Sequence, residues 1–600
     1  MSISKAILAQ THLVQTIFGN MFSALCRPLD NGPQRRGGFR QRLAQPLPVA
    51  ARPSRAALGH LLDWGEGSTS ARQMVRHLNN IVADGETRHP MILRLAAAGE
   101  GDNARGSAAH GVARLMEQCG FARLITAIPN APVSHMCLPS SLMTCLHAHF
   151  PQKLAEVLGA DRNVFGRFWA GMRRDPHFTA FVNGHDVLRT FGQADWARLV
   201  PVTIHEDAGP YGIRKSCNII SWSSFFATGG AKDSQFPIAS YIKNSDVPVT
   251  QEHLSNIWNP VFQDFEHLLV QGVGGLLFLP LFAKADMEGR SVGWGLPSYN
   301  SELCCSECRC DRGALSFTDL SSSAAWRGVL VGGVTDFRAR ARTPLHPLLT
   351  SSFFWRGFMP LDMMHVMDCK GVTAIVAGSI LRPLIMSCAA MGRTQDERIG
   401  VVNQRLKTFY DQRPGYNRMP ALRLSNLVDR GWSVLCGQVV KAANTRALTP
   451  FLVEIAAEFY SDATVDYNKL VVRAATTLDR IYTIMYNADA FLTDEEATFL
   501  RRALSRFGAT IMQLREICRI TNVFAWNVTP KMHAVQHFAT FPAQINPRWI
   551  QCYTEESAVG LTTKIWARSA NGRYRRTIQR TVLMKKVVAL AIRFETNGGV

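Results

Sequence analysis

Apolar residues recur at helical spacing in Ala71–Val82 and Ala108–Ile128, which predicts a helical region over residues 64–195. From about residue 196 the texture changes to short apolar runs. Leu199–His205 (LVPVTIH) predicts a strand that ends at the turn signal Glu206-Asp207-Ala208-Gly209-Pro210. Cys217–Phe226, Phe236–Ile242 and Leu276–Ala285 predict further strands, the last of them ending at Asp286. Short strands in close succession point to a mixed sheet. Helical periodicity returns over residues 370–525. There Thr493 and Glu496 form a capping-box signature, each satisfying the other's orphan backbone donor. The stripe Phe499, Leu500, Ala503, Leu504, Phe507 and Ile511 that follows is a core face. The segment from about residue 550 is helical and basic, and no internal repeat is evident. The pattern as a whole predicts an α/β protein.

Composition narrows this picture. With 47% hydrophobic and 19% charged residues the 600-residue chain is globular, and its length suggests several domains. The 66 Lys and Arg exceed the 46 Asp and Glu, giving a net charge of +20 that suits a polyanionic partner. The most apolar run, Leu268–Ala283, is 16 residues with Gln271, three glycines and Pro280, short of the roughly 20 apolar residues a membrane span needs. No membrane partner is therefore expected. In residues 1–62 the sole acid is Asp30, against seven arginines and one lysine. Residues 1–63 read as a basic flexible arm, rich in Pro, Gly and Arg over Arg27–Arg55; the alternative is a mitochondrial transit peptide with an amphipathic helix at Ser4–Phe22. Of 14 cysteines, ten are scattered and four (Cys304, Cys305, Cys308, Cys310) fall within seven residues. Such clustering suits metal binding in a reducing compartment better than a disulfide framework.

Two constellations carry candidate chemistry. Asp207 and Asp286 each sit at the end of a predicted strand, and Glu555 and Glu556 lie together on a predicted helix (YTEESAVGLTTKIWA). Carboxylates gathered from such positions can hold two divalent ions about 3.5–4 Å apart, as in-line phosphoryl transfer requires. Mg2+ (or Mn2+) suits oxygen ligands of this kind. Cys305 and Cys308 form a CxxC, and His533 and His537 an HxxxH that places both imidazoles on one helical face. Two thiolates and two imidazoles complete a tetrahedral set for one structural Zn2+, with Cys304 and Cys310 as alternative thiolates.

The order of these pieces resembles a eukaryotic DDE transposase of the CACTA (En/Spm) group and its relatives, which include the catalytic subunit of the RAG recombinase. Asp286 is followed 19 residues later by the CxxC at Cys305, then by Asp362-Met363-Met364-His365, then by the HxxxH, and Glu556 follows His537 by 19. The likeness covers roughly residues 200–580. It implies an RNase H-like mixed sheet interrupted by a large helical insertion. It implies Asp207, Asp286 and Glu556 as the catalytic acids, with Glu555 as the alternative acid; Cys305, Cys308, His533 and His537 as zinc ligands; and Asp362 and His365 as a supporting element. The surroundings of Asp207 (HEDAGPYG) depart from the family's usual first-acid block. Residue pattern and resemblance together give an arm (1–63) and a helical region with a DNA-binding or dimerisation role (64–195), both from the pattern, then the first part of the core with the CxxC (196–310), a helical insertion (311–525) and core completion (526–600).

The function expected on this reading is DNA cleavage and strand transfer by a homo-oligomer assembled on DNA in the nucleus. Lys215, Lys531, Lys564, Arg568, Arg573, Arg575 and Arg576 are the candidate phosphate contacts. The alternatives are a domesticated transposase-derived protein that binds DNA without cutting it, and a metal-dependent nuclease without strand transfer.

Overall fold

A computed structural model describes residues 55–84, 90–97, 124–128, 133–213, 215–243, 249–298, 300–437, 440–570 and 575–596. The Ser4–Phe22 helix, most of the Ala108–Ile128 helix and Arg573 lie outside the described residues. The described chain is mixed α/β and divides into two compact units. Unit 1 holds the described residues of Met1–Phe165, Gln193–Leu281 and Thr554–Val600; unit 2 holds those of Gly166–Gly192 and Phe282–Tyr553.

Unit 1 is organised by a six-stranded sheet. Its strands are β1 (Thr126–Ala127), β2 (His135–Met136), β3 (Leu199–Gly212), β4 (Lys215–Ser224), β5 (Phe236–Ile242) and β6 (Leu277–Lys284), whose last residues pass into unit 2. Their spatial order is β1-β2-β5-β4-β3-β6. The predicted turn at Glu206–Pro210 is not there. β3 runs through it to Gly212, with Asp207 paired to Ile219, Gly209 to Cys217 and Pro210 to Ser216 before the register shifts. Hairpin pairing with β4 decides the local geometry: it satisfies the backbone groups that a turn would otherwise have to pair internally. Pro210 occupies the bulged end of the ladder, where a missing N–H is tolerated.

Between β5 and β6 the helix Gln251–Val270 starts at a capping box made by Thr250 and His253 and buries Trp258, Phe262 and Phe265. Trp222 of β4 meets Phe265 edge-on at 5.7 Å and Phe278 at 6.0 Å. The last stretch of the expected flexible arm is instead a helix, Arg55–Gly65, whose Trp64 is 2% exposed. It packs on the C-terminal helix Arg575–Thr596: a Cβ on Gly65 would lie 2.9 Å from Ala589 Cβ, and Lys585 Nζ sits 5.2 Å from the Trp64 ring. Glu66 then accepts from Lys232 and Arg593. That C-terminal helix is basic in sequence but buries Val582, Leu583, Val587, Leu590 and Phe594, so one face of it is core.

Unit 2 is mostly helical. Its core gathers around the buried helix Val372–Ser387 and the helices Thr449–Phe459, Asp466–Asn487 and Asp494–Ile520. Among the described residues one helical run, Met364–Ser387, is long and apolar enough to cross a membrane, and 72% of its most apolar window is buried in this protein core. The capping box of Thr493 and Glu496 is present. Of the predicted stripe, Leu500, Ala503, Leu504, Phe507 and Ile511 are buried, whereas Phe499 is 47% exposed under the Arg480 guanidinium. It lies one residue off the i, i+3, i+4 row that faces the core.

Among the described residues the Asp368 carboxyl lies in this core with no exposed surface. Asp368 accepts hydrogen bonds from the Tyr482 and Tyr553 hydroxyls, and Tyr482 also pairs with Thr373. Burial lifts the Asp368 carboxyl to about 7, against the two phenols and Arg446, which pull it down. A carboxyl raised on folding favours its protonated form. Its contribution to stability is fully present below the ordinary value of 3.8 and is lost as pH climbs through about 7. Asp368→Asn, which cannot ionise, flattens the fall of the thermal midpoint across this window relative to wild type. Parallel midpoint-versus-pH curves for the two proteins contradict this assignment.

Candidate metal centres

Among the described residues, two groups of His, Cys, Asp and Glu bring ligand atoms within 4.8 Å of one another, one in each unit. In unit 2 these are Cys305, Cys308, His533 and His537, all buried. His533 lies on the short helix Pro530–Ala534 and His537 on the 3-10 turn Val535–Thr540. The chain thus tightens between them rather than forming the uniform α-helix expected, yet both rings still face one point. Cys308 Sγ is 3.2 Å from His533 Nε2, Cys305 Sγ is 3.5 Å from His537 Nε2, and the two Nε2 atoms are 3.1 Å apart. Zinc bond lengths at tetrahedral angles give sulfur–nitrogen edges of about 3.6 Å and nitrogen–nitrogen edges of about 3.3 Å. The four side chains are therefore a buried Cys2His2 cluster compatible with a structural zinc.

The surroundings suit a thiolate site. The Glu307 N–H donates to Cys305 Sγ at 3.3 Å, and Arg340 binds the Cys305 carbonyl. Burial alone would raise the Cys305 thiol. Hydrogen bonds from the Cys308 and Cys310 thiols, and the neighbouring His537 and His533, instead hold it well below its ordinary value. Trp326 packs on both rings, 4.3 Å from His533 and 5.2 Å from His537. Cys304 and Cys310, the alternative thiolates, pair with each other at 3.5 Å. Partly buried Glu307 bridges Arg290 (3.3 Å) and Arg356 (3.0 Å), and Arg290 also donates to the carbonyls of Met359 and Pro360. The cysteine loop is in this way bonded to the strand-end segment that carries Asp286 and to the segment that leads into Asp362.

In unit 1 the group is His205, Asp207 and Glu556. Its geometry follows from strand and helix periods. Residues 205, 207 and 209 share one face of β3, and Glu556, Val559 and Thr563 form one stripe of the helix Tyr553–Ser569. Gly209 brings the two together: a Cβ there would lie 2.5 Å from Thr563 Cγ2 and 2.9 Å from Val559 Cγ1. One turn back along the helix, Glu556 reaches His205 and Asp207. Cys217, Ile219, Val559, Ile565, Trp566 and Val582 form the apolar floor beside them. Of the competing acids, Glu556 is in the group; Glu555 is 3% exposed and outside it. His205 was missed in the sequence, although its i, i+2 spacing to Asp207 on one strand face was there to read. On the opposite face Glu206 is buried and accepts from the Tyr241 hydroxyl at 3.0 Å.

Asp286 belongs to unit 2, two residues past β6, and accepts from the Gly289 N–H. His365 and Lys531 are near enough to interact with it electrostatically. Asp362 is 2% exposed, binds the N–H groups of Met364 and His365, and pairs with the His365 ring. Burial would lower His365, but this carboxylate overrides it and holds the imidazole above its ordinary value. Lys531 donates to the Cys369 carbonyl at 2.7 Å, and burial lowers its ammonium. Lys215, Lys564 and Arg568 are exposed; Arg575 and Arg576 begin the C-terminal helix.

Two outcomes are expected. Elemental analysis of freshly reduced protein gives one zinc per chain, and Cys308→Ser lowers both zinc content and thermal stability; full-length protein free of zinc yet equally stable contradicts the cluster. Gly209→Val costs about 1–3 kcal/mol of stability through overpacking of the strand–helix contact, and a midpoint unchanged from wild type contradicts the close approach. Compared with known proteins, the chain matches no family model and no curated protein.

Proposed function

We propose that this protein is a metal-dependent phosphoryl transferase of the DDE transposase type, cutting DNA and joining the freed 3′-hydroxyl to a target. The observation that carries the reading is the convergence of Asp207 and Glu556, far apart in sequence, on one face of the unit 1 sheet. The sheet order supports an RNase H-like core. Antiparallel β3, β4 and β5 are followed by the helix Gln251–Val270, and β6 then returns beside β3. The Cys2His2 cluster in the expected order supports the same family, and the charge of +20 supports a DNA partner.

The donor set fits a divalent cation, since two carboxylates and one imidazole offer ligand atoms within 4.8 Å. Divalent ions bound there would supply an activated nucleophilic oxygen and stabilise the leaving oxygen. The chain's own contribution is placement. The rigid β3 face fixes His205 and Asp207 two residues apart, and the helix stripe fixes Glu556 against them. The imidazole in the set favours Mn2+ over Mg2+, which prefers all-oxygen surroundings. Asp286 enters as the third acid through the sequence resemblance. Nuclear action and oligomerisation on DNA belong to the same proposal.

The test uses the full chain with a supercoiled plasmid and paired terminal-repeat ends of its own element. Asp207→Asn and Glu556→Gln each lower cleavage at least a hundredfold with unchanged zinc content and thermal midpoint, activity in Mn2+ exceeds that in Mg2+, and Asp286→Asn behaves likewise. Wild-type protein that binds DNA but never cuts it favours the domesticated binding protein. Cleavage without joined product favours the simple nuclease. Cleavage that survives Asp207→Asn and Glu556→Gln overturns the site.

A further inference from the structure

A second candidate site lies in unit 2, on the outer side of the zinc cluster. A pocket of about 490 Å³ is walled on one side by Thr498, Arg501, Arg502 and Ser505. These are positions i, i+3, i+4 and i+7 of the helix Asp494–Ile520, and so form one face. The opposite wall is Gln536, Ala539 and Thr540, again i, i+3 and i+4, from the turn that carries His537. Arg327 closes one end.

Of the polar groups there, Arg327 is fixed by its partners. Arg327 donates to the carbonyls of Ser321 and Leu320 and to Gln536 Oε1 at 2.8 Å, and its guanidinium lies 4.5 Å over the Trp326 ring. Trp326 in turn rests on both zinc-ligand histidines. Gln536 is 2% exposed, and its Nε2 has no hydrogen-bond partner among the described residues. A buried amide donor without an acceptor is costly; a small turn of the Gln536 side chain toward the pocket it lines would give the amide an anion's oxygen. Arg501 and Arg502 are exposed, and among the described residues neither pairs with a carboxylate. Asp319 is the carboxylate that acts on Arg327.

We propose that this pocket binds a phosphate of a nucleic-acid backbone, held by Arg327, Arg501, Arg502 and the Gln536 amide. The lining argues for phosphate rather than base, because it offers several N–H donors and no aromatic face for stacking. A polymer is favoured over a small phosphorylated molecule because the basic row continues beyond the pocket to exposed Arg506, one turn past Arg502. The site deepens the DNA-binding part of the function proposed above but shares no residue with the acids.

The experiment measures affinity of the zinc-loaded full chain for a short labelled DNA duplex of arbitrary sequence across a salt series, with no further divalent cation added, and with tripolyphosphate as competitor. Arg501→Ala/Arg502→Ala weakens duplex binding roughly tenfold at low salt and makes the salt slope shallower by about two, one unit for each lost phosphate contact. The charge-matched control Arg393→Ala/Arg473→Ala, also exposed in unit 2, leaves binding near wild type. Duplex binding is read without cleavage, so a failed catalytic assignment does not mimic a failed pocket. Equal weakening by the pocket pair and the control pair overturns the proposal. So does tripolyphosphate binding that depends on Arg501 and Arg502 while duplex binding does not, since the pocket then takes a free polyphosphate.

Discussion

The arrangement of the unit 1 site depends on one close approach, that of the helix Tyr553–Ser569 to β3 at Gly209. No side chain larger than hydrogen fits between the strand and the Val559–Thr563 stripe. With the helix seated there, the positions of its other residues on that face are set by the helical period, and Glu556 falls opposite His205 and Asp207. The β3–β4 ladder fixes the other partner. Ten residue pairs from Val202–Ser224 to Gly212–Lys215 leave β3 little freedom, and the alternation along it assigns Asp207 to the helix-facing side. The site is thus built from two regular elements rather than from loops, the condition under which side-chain geometry is most closely held.

The zinc-compatible cluster has the corresponding role in unit 2. It ties a loop with almost no regular structure, residues 304–310, to the turns around His533 and His537. Such a loop has few backbone bonds of its own, and a bound zinc would supply the missing ties. Around it, Arg290 and Glu307 link the loop to the segments of Asp286 and Asp362, while Trp326 and Arg327 carry its position outward to the basic pocket. Ligand loss is therefore expected to disturb more than four side chains.

Much of this was legible in the sequence because the signals were periodic or paired. The strands at Phe236–Ile242 and near Cys217–Phe226 and Leu276–Ala285, the Thr493–Glu496 cap and the CxxC with HxxxH all rest on local spacing, and all are present. The failures have a common cause. Glu206-Asp207-Ala208-Gly209-Pro210 has turn composition, but a tertiary contact and a long hairpin make it strand; Gly209 is required by the helix above it and not by a turn. The Arg55–Gly65 helix was hidden in an arginine-rich, acid-poor stretch, because what holds it is its packing on Arg575–Thr596 at the other end of the chain. The Arg327–Gln536 pocket joins residues distant in sequence, and no local pattern announces it; the i, i+2 spacing of His205 to Asp207 carries weight only once Glu206–Pro210 is strand rather than turn.

The central claim, that His205, Asp207 and Glu556 form one metal-binding site, has a direct physical test that needs no DNA. Fe2+ added with ascorbate and peroxide to the zinc-loaded protein generates hydroxyl radicals at the bound ion, and these cut the backbone nearest to it. Cuts are expected in two places, around residues 205–209 of β3 and around 553–557 at the start of the helix, both suppressed by excess Mn2+ and by Asp207→Asn. Cuts in only one of the two segments, or in neither, would contradict that claim.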